Sequence, residues 1–212
     1  DGCYELDAST ASNFTGTVVS STTPNGGATT LTALNPALSA NTTYYLRVGA
    51  VWGGTTYYAS SLSTSTLAVA PVGPLITAVS STSITMNWSA ASNPDGTRYQ
   101  VHYWTVGGST STVAAGITTA TVSGLTPLTT YYLAVLAINN NEIPTSLTTA
   151  VSTFTNSAPI PVNPVISVVN AADISLSWTA VGSDGGYQLD ASTAANFTGT
   201  VVSSTTPNWA AT

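Results

Sequence analysis

The sequence has very little charge. Only 5% of its 212 residues are Asp, Glu, Lys or Arg, lysine is absent, and Arg47 and Arg98 are its two strong cations. Binding to a nucleic-acid backbone requires clustered basic groups, so the composition excludes nucleic acid as a partner. No run of about 18 apolar residues occurs, so we expect no membrane span. Cys3 stands alone, which excludes a disulfide within the chain.

Groups that could carry catalysis are also scarce: one His, one Cys, two Arg and eight acids. His102 lies between Val101 and Tyr103, and its strand phase predicts a surface position rather than a site. Glu5 and Asp7 could form a carboxylate pair for sugar hydrolysis, but a solvated strand face is the better interpretation. Zinc-type Cys/His spacings and acidic calcium loops are missing. The sequence predicts no enzyme, no metal and no cofactor.

What is abundant is hydroxyl: 27 Ser and 39 Thr stand where charged residues usually would. Thr and Val suit a pleated sheet, whereas a solvent-facing helix favours Lys, Glu and Ala. A surface with so little charge repels other copies weakly. We expect such a surface to be covered by other subunits or by attached sugar.

The chain contains internal repeats. Residues 184–208 repeat residues 1–25 with three differences, which are Cys3/Gly186, Glu5/Gln188 and Ser12/Ala195. Within this 183-residue period, residues 83–92 match 173–182 and residues 38–50 match 125–137. The repeating unit is therefore about half the period, close to the length of one small β-sandwich.

Large apolar residues alternate with polar ones along several runs, for example at Ile84, Met86 and Trp88. Period-2 alternation predicts strands with one buried face. Gly-Gly pairs and Asn-rich stretches such as 139–141 separate these runs and predict turns. We therefore expect an all-β chain.

The pattern of these strands resembles the fibronectin type III family of immunoglobulin-like, antiparallel β-sandwiches. That family places a Trp at the end of the second strand, an inward Tyr on the third, and Leu-x-Pro-x-Thr-x-Tyr before the sixth. The matching residues here are Trp88 and Trp178; Tyr4, Tyr99 and Tyr187; and Leu38, Tyr44, Leu125 and Tyr131. The resemblance implies that these residues form structural core, and that Tyr44 and Tyr131 bond their hydroxyls to nearby backbone.

The resemblance also implies a domain map. Residues 1–70 would hold the third to seventh strands of a partial domain, residues 72–156 a complete domain, and residues 162–212 the first to fourth strands of another. Neither partial domain can close a sandwich alone. We expect either a continuous repeat array or self-association into a homopolymer through strand addition.

Four acceptor sequons, at Asn13, Asn41, Asn87 and Asn196, are candidate glycosylation sites, and attached or bound glycans are possible partners. The sequence favours a non-catalytic subunit of an extracellular filament or cell-surface fibre with an adhesion or scaffolding role. The alternative is a spacer or carbohydrate-binding module of a secreted polysaccharide-degrading enzyme. Both interpretations place the chain outside the cell or on its surface.

Overall fold

The structure is a computed structural model that describes residues 3–33, 37–181 and 186–206. All regular secondary structure in these residues is β, which confirms the predicted class. The chain divides into two compact units, Asp1–Asn156 and Ser157–Thr212. The first unit contains a single sheet followed by a complete sandwich, and the second contains two hairpins.

The first sheet is built from five strands. They are β1 (Cys3–Ser9), β2 (Val18–Thr23), β3 (Thr43–Trp52), β4 (Thr55–Tyr58) and β5 (Leu62–Ser65). The strand order is β2-β1-β3-β4, and β5 also pairs with β3. β3 is the centre of this sheet because its long alternating run pairs with β1 on one edge and with β4 and β5 on the other.

The described residues of this part of the chain do not form the fifth strand of the family order. Residues 24–33 and 37–42 contain no strand. In the complete sandwich the corresponding strand pairs with the one that carries Trp88. Residues 3–33 and 37–65 contain no counterpart of that Trp-bearing strand, so these described residues supply no second sheet to face the first.

The second module is the complete sandwich, and its seven strands form two sheets. They are β6 (Val72–Val79), β7 (Ser83–Ser89), β8 (Arg98–Trp104), β9 (Ser111–Ala115), β10 (Thr119–Ser123), β11 (Thr130–Ile138) and β12 (Val151–Phe154). One sheet has the order β10-β7-β6 and the other β12-β11-β8-β9. Such alternating strands bury one face each, so the two sheets enclose a common core.

The core of the second module follows the predicted alternation. Ile84, Met86 and Trp88 of β7 are buried against Tyr99 and Val101 of β8. Trp88 meets Tyr99 edge-on, with 5.5 Å between ring centroids. Edge-to-face contact places the positive ring edge on the negative ring face, which adds to the benefit of burial.

Each long central strand is preceded by a tyrosine corner. The Tyr131 hydroxyl accepts a hydrogen bond of 3.0 Å from the Thr126 backbone N–H. The Tyr44 hydroxyl accepts one of 3.1 Å from the Ser39 N–H. Both rings are buried, so the hydroxyl satisfies a polar group while the ring fills the core.

The C-terminal unit contains β13 (Val162–Val169), β14 (Ile174–Thr179), β15 (Tyr187–Ser192) and β16 (Val201–Thr206), paired as two hairpins. The β13–β14 pair repeats the two register shifts of β6–β7 ninety residues earlier. Trp178 and Tyr187 bring the hairpins together edge-on, at 5.1 Å between centroids. Tyr187 is buried, whereas Trp178, like Tyr4 and Leu38 of the first sheet, is half-buried.

Candidate functional site

The outer face of the first sheet carries an arginine held between two aromatic rings. Arg47 of β3 lies opposite Asp7 of β1, and its Nη2 and Nε are 2.9 and 3.0 Å from Asp7 Oδ2. The guanidinium carbon lies 4.0 Å from the Phe14 ring centroid and 3.7 Å from that of Tyr58. We call Asp7, Phe14, Arg47 and Tyr58 the Arg47 cluster. Its contacts combine an ion pair, in which two guanidinium nitrogens donate to one carboxylate oxygen, with two cation–π contacts.

The cluster determines the protonation of its acid and its phenol. Burial alone would raise the pKa of Asp7, but hydrogen bonds from Ser20 and Arg47 outweigh burial and hold that pKa below its usual range. Burial and the neighbouring Asp7 and Glu5 carboxylates raise the pKa of Tyr58 to about 12. Asp7 is therefore ionised and Tyr58 protonated across the neutral range.

The expectation of a solvated acidic face is wrong for Asp7, which is 2% exposed. Arg47 and the Ser20 hydroxyl cover its carboxylate. Glu5 Oε2 accepts hydrogen bonds from Thr56 and Tyr58, at 2.9 and 3.1 Å. Both carboxylates thus accept hydrogen bonds from side chains of the first sheet. Sequence reasoning missed the cluster because Asp7 and Arg47 lie 40 positions apart, although Arg47 on an otherwise uncharged strand was a usable signal.

Asparagines join the first sheet to the second module. Asn41 Nδ2 donates a hydrogen bond of 2.9 Å to Thr97 Oγ1, and Asn41 Oδ1 accepts one of 2.8 Å from the Asn140 N–H. Asn93 pairs through its amide with both backbone groups of Val69, at 2.7 and 2.8 Å. We call these asparagines, Asn41, Asn93 and Asn139 to Asn141, together with their hydrogen-bond partners, the asparagine joint.

The joint continues through the turn after β11. Asn139 is fully buried and donates to the Thr66 carbonyl at 3.2 Å, and Asn141 donates to Thr64 Oγ1 at 2.8 Å. An amide side chain both donates and accepts, so each Asn can satisfy groups from both modules at once. The sequence indicated only a turn at residues 139–141. Nothing in the local pattern distinguishes a turn Asn from one that bonds a neighbouring module.

The outer face of the second module carries a second aromatic group. Trp104 and Tyr132 are cross-strand neighbours whose rings stack, with 6.0 Å between centroids and 16° between planes. His102 lies on the same face, and its Nε2 is 3.0 Å from Gln100 Oε1. The structure thus places His102 in a polar contact on the sheet surface, as its strand phase predicted.

The four sequons differ in access. Asn13, Asn87 and Asn196 are exposed. Asn41 is 4% exposed and its amide nitrogen donates to Thr97, so this fold contradicts the suggestion of a sugar there. The sequon pattern alone could not show that the asparagine joint already uses this side chain.

The described residues contain no group of three or more His, Cys, Asp or Glu side chains placed to hold a metal ion. Across the same residues, no helix has the length and apolar character needed to cross a membrane. Cys3 is half-buried at the start of β1 and has a free thiol.

Comparison with known proteins agrees with the fold. Residues 69–152 match the family model of the fibronectin type III domain. A two-domain fibronectin type III segment of chicken tenascin is similar to this structure with a TM-score of 0.51 and 20% identity, covering 72% of this chain and 84% of that one. The match covers more than one module, which agrees with a tandem arrangement of fibronectin type III-like sandwiches.

One relative in sequence is endoglucanase B of Cellulomonas fimi. The two sequences are 39% identical over an alignment of 127 positions that covers 55% of this chain. The aligned region is 12% of the length of endoglucanase B, so this chain corresponds to a small part of that protein.

Proposed function

We propose that these tandem fibronectin type III modules form a non-catalytic spacer in an extracellular polysaccharide-degrading enzyme. The observation that carries this proposal is the 39% identity to part of endoglucanase B over 127 residues. A fold of this class serves many roles, so the proposal rests on that relative and on the contacts between modules rather than on the sandwich itself.

The asparagine joint supports a spacer role. A linker between catalytic and binding parts of an enzyme must hold them at a defined separation, and bare Gly/Ser chain cannot do so. Here Asn41 and Asn141 bond the first sheet to the second module, and Asn139 and Asn93 bond the connecting segment at Thr66 and Val69. These bonds restrict rotation between consecutive modules and make the pair a semi-rigid spacer.

The Arg47 cluster supports a non-catalytic role. A pair of glycosidase carboxylates must flank the scissile bond, with one of them free to give up a proton. Asp7 is buried beneath Arg47, and Glu5 accepts hydrogen bonds from Thr56 and Tyr58. Both acids are engaged by groups of the sheet, and the lowered pKa of Asp7 does not suit it to act as a proton donor.

A second candidate is a subunit of an extracellular filament or cell-surface fibre. The near-identity of residues 1–25 and 184–208 favours it, because recently duplicated modules are typical of repetitive surface proteins. In that role the modules would scaffold or adhere, and glycans on Asn13, Asn87 or Asn196 would cover their weakly charged surface.

Binding and hydrolysis assays on the 212-residue chain test the spacer proposal. We expect no cosedimentation with insoluble cellulose and no release of reducing sugar from a soluble β-glucan. Cosedimentation abolished by Trp104→Ala would replace the spacer with a carbohydrate-binding module. Sugar release abolished by His102→Ala or Glu5→Gln would overturn the non-catalytic assignment.

A further inference from the structure

Two nearly identical hairpins lie in different surroundings. The β1–β2 and β15–β16 pairs share one register, with Asp7 opposite Ser20 in the first and Asp190 opposite Ser203 in the second. β1 has a second neighbour, β3. In the part of the chain that the structure describes, β15 pairs with β16 alone.

The unpaired edge of β15 presents backbone hydrogen-bonding groups. Thr193 donates its N–H to Thr200 on the β16 side, just as Thr10 donates to Thr17 in the first hairpin. Alternate residues of a strand direct their N–H groups to opposite edges, so those of Gln188 and Asp190 face away from β16. An edge of this kind is a template for another strand.

The apolar surface beside this edge is open as well. A groove of about 750 Å³ lies between the two C-terminal hairpins, lined by residues that include Ile174, Leu176, Trp178, Leu189 and Val202. Ile174 is 54% exposed, whereas its counterpart in the complete sandwich, Ile84, is 0% exposed. In the complete sandwich, this position lies in the closed core that Leu133 and Val135 of β11 also line.

β3 of the first sheet has the matching uncovered face. Val48 is 45% exposed, whereas its counterpart on β11, Val135, is 0% exposed. Trp52 and Tyr57 on the same sheet are exposed too. The second module buries two sheet faces against each other. Here the counterparts of both faces are exposed: one is the face of β3 that carries Val48, and the other is the face of β14 that carries Ile174.

We propose that the free edge of β15 binds β3 from a second copy of this chain by strand exchange. β3 of one copy leaves its own β1 and pairs with β15 of the other. The shared register places Val48 opposite Leu189 and Arg47 opposite Asp190. Because the β15–β16 hairpin repeats the register of β1–β2, β3 makes equivalent pairs on β15, and the exchange leaves the edge of β1 open in place of that of β15. The net gain is the burial of apolar surface between β3 and β14.

The side chains beside the β15 edge complement those of β3, and this indicates a second copy of the chain as the binding partner. Asp190 is the counterpart of Asp7, which holds Arg47 in the first sheet. Phe197 is the counterpart of Phe14; it is 56% exposed and, in the described residues, no guanidinium lies over its ring. An incoming β3 supplies Arg47 to both residues. It also gains the apolar cover of β14, which β1 and β2 cannot provide.

Sedimentation velocity on the full chain tests the exchange. We expect mass to increase with protein concentration, and Asp190→Lys to weaken association at least about tenfold because two cations would then face each other. Gln188→Pro provides a second variant, since it removes an N–H from the free edge alone. Asp95→Lys is the matched control: it makes the same charge change at an exposed turn residue that does not line the groove, and should associate like the unmodified chain.

Mixing two charge-reversed variants should restore the association that each variant lacks. Chains with Asp190→Arg and chains with Arg47→Asp should associate with each other more strongly than either does alone. An unmodified chain that stays monomeric at every concentration would overturn the proposal. Association that neither Asp190→Lys nor Gln188→Pro weakens would also overturn it. A third contradicting result is protection of the Gln188 and Asp190 amides from hydrogen exchange in a monomer, because the same chain would then cover the edge.

Discussion

Asn41 and Thr97 lie 56 positions apart and are joined by a buried hydrogen bond of 2.9 Å between Nδ2 and Oγ1. Asn41 belongs to the approach to β3 of the first sheet, and Thr97 directly precedes β8 of the second module. The backbone of Asn41 has a positive φ of 42°, a conformation that Asn tolerates better than most residues. One asparagine thus makes a local corner and also links two modules.

Replacement of this asparagine should loosen the joint. Asn41→Gly keeps the positive φ but removes the bonds to Thr97 and Asn140, which should lower the free energy of unfolding by about 1–3 kcal/mol. Residual dipolar couplings should also show that the first sheet and the second module no longer share one alignment. Asn87→Ala removes an exposed asparagine from β7 and should leave both measurements unchanged. A common alignment in Asn41→Gly would show that the joint does not depend on this side chain.

Trp88→Ala should destabilise the second module by about 3–5 kcal/mol, because it empties a large buried volume against Tyr99. Calorimetry of the full chain measures the loss as a lower melting temperature. Trp104→Ala removes a similar side chain from the outer face of the same sandwich and should cost clearly less. Equal losses from the two variants would mean that Trp88 is not the core residue of the module.

The two salt bridges found among the described residues should differ in strength. Arg47→Met leaves the Asp7 carboxylate buried and unpaired, which should cost on the order of 3 kcal/mol. The Arg98–Glu142 pair is exposed on both sides, so Arg98→Met should cost less than about 1 kcal/mol. Chemical denaturation of both variants provides the comparison. An Arg47→Met chain as stable as Arg98→Met would remove the structural role assigned to the Arg47 cluster.

Stability should fall at both ends of the pH range. The pKa of Asp7 is lower in the folded chain, so its contribution is present above the ordinary value of about 4 and is lost as pH falls through the folded value. The pKa of Tyr58 is raised to about 12, so its contribution is present below the ordinary value of 10 and is lost as pH rises through about 12. Melting temperatures across pH measure both limbs. Asp7→Asn should flatten the acid limb, and Tyr58→Phe the alkaline limb.

Local pattern was enough to predict the sandwich core. Ile84, Met86 and Trp88 alternate along one strand, and burial of that stripe follows directly from strand geometry. The tyrosine corners were predicted from the family resemblance, and the structure shows the Tyr131 hydroxyl bonded to a residue five positions away.

Contacts between distant segments were not predictable in this way. Asp7 is outward-facing by its phase, yet Arg47 and the Ser20 hydroxyl cover it, and the pairing of β1 with β3 brings Arg47 to Asp7. The asparagine joint depends on how two modules meet. No residue spacing within a local stretch of the sequence indicates how the two modules meet.

The central claim, a spacer within a polysaccharide-degrading enzyme, is tested most directly by sequencing the intact native polypeptide with tandem mass spectrometry. We expect one polypeptide to contain residues 1–212 together with a polysaccharide-degrading catalytic domain. A polypeptide made only of further sandwich modules, repeating with the 183-residue period of this chain, would contradict the spacer and leave the filament subunit in its place.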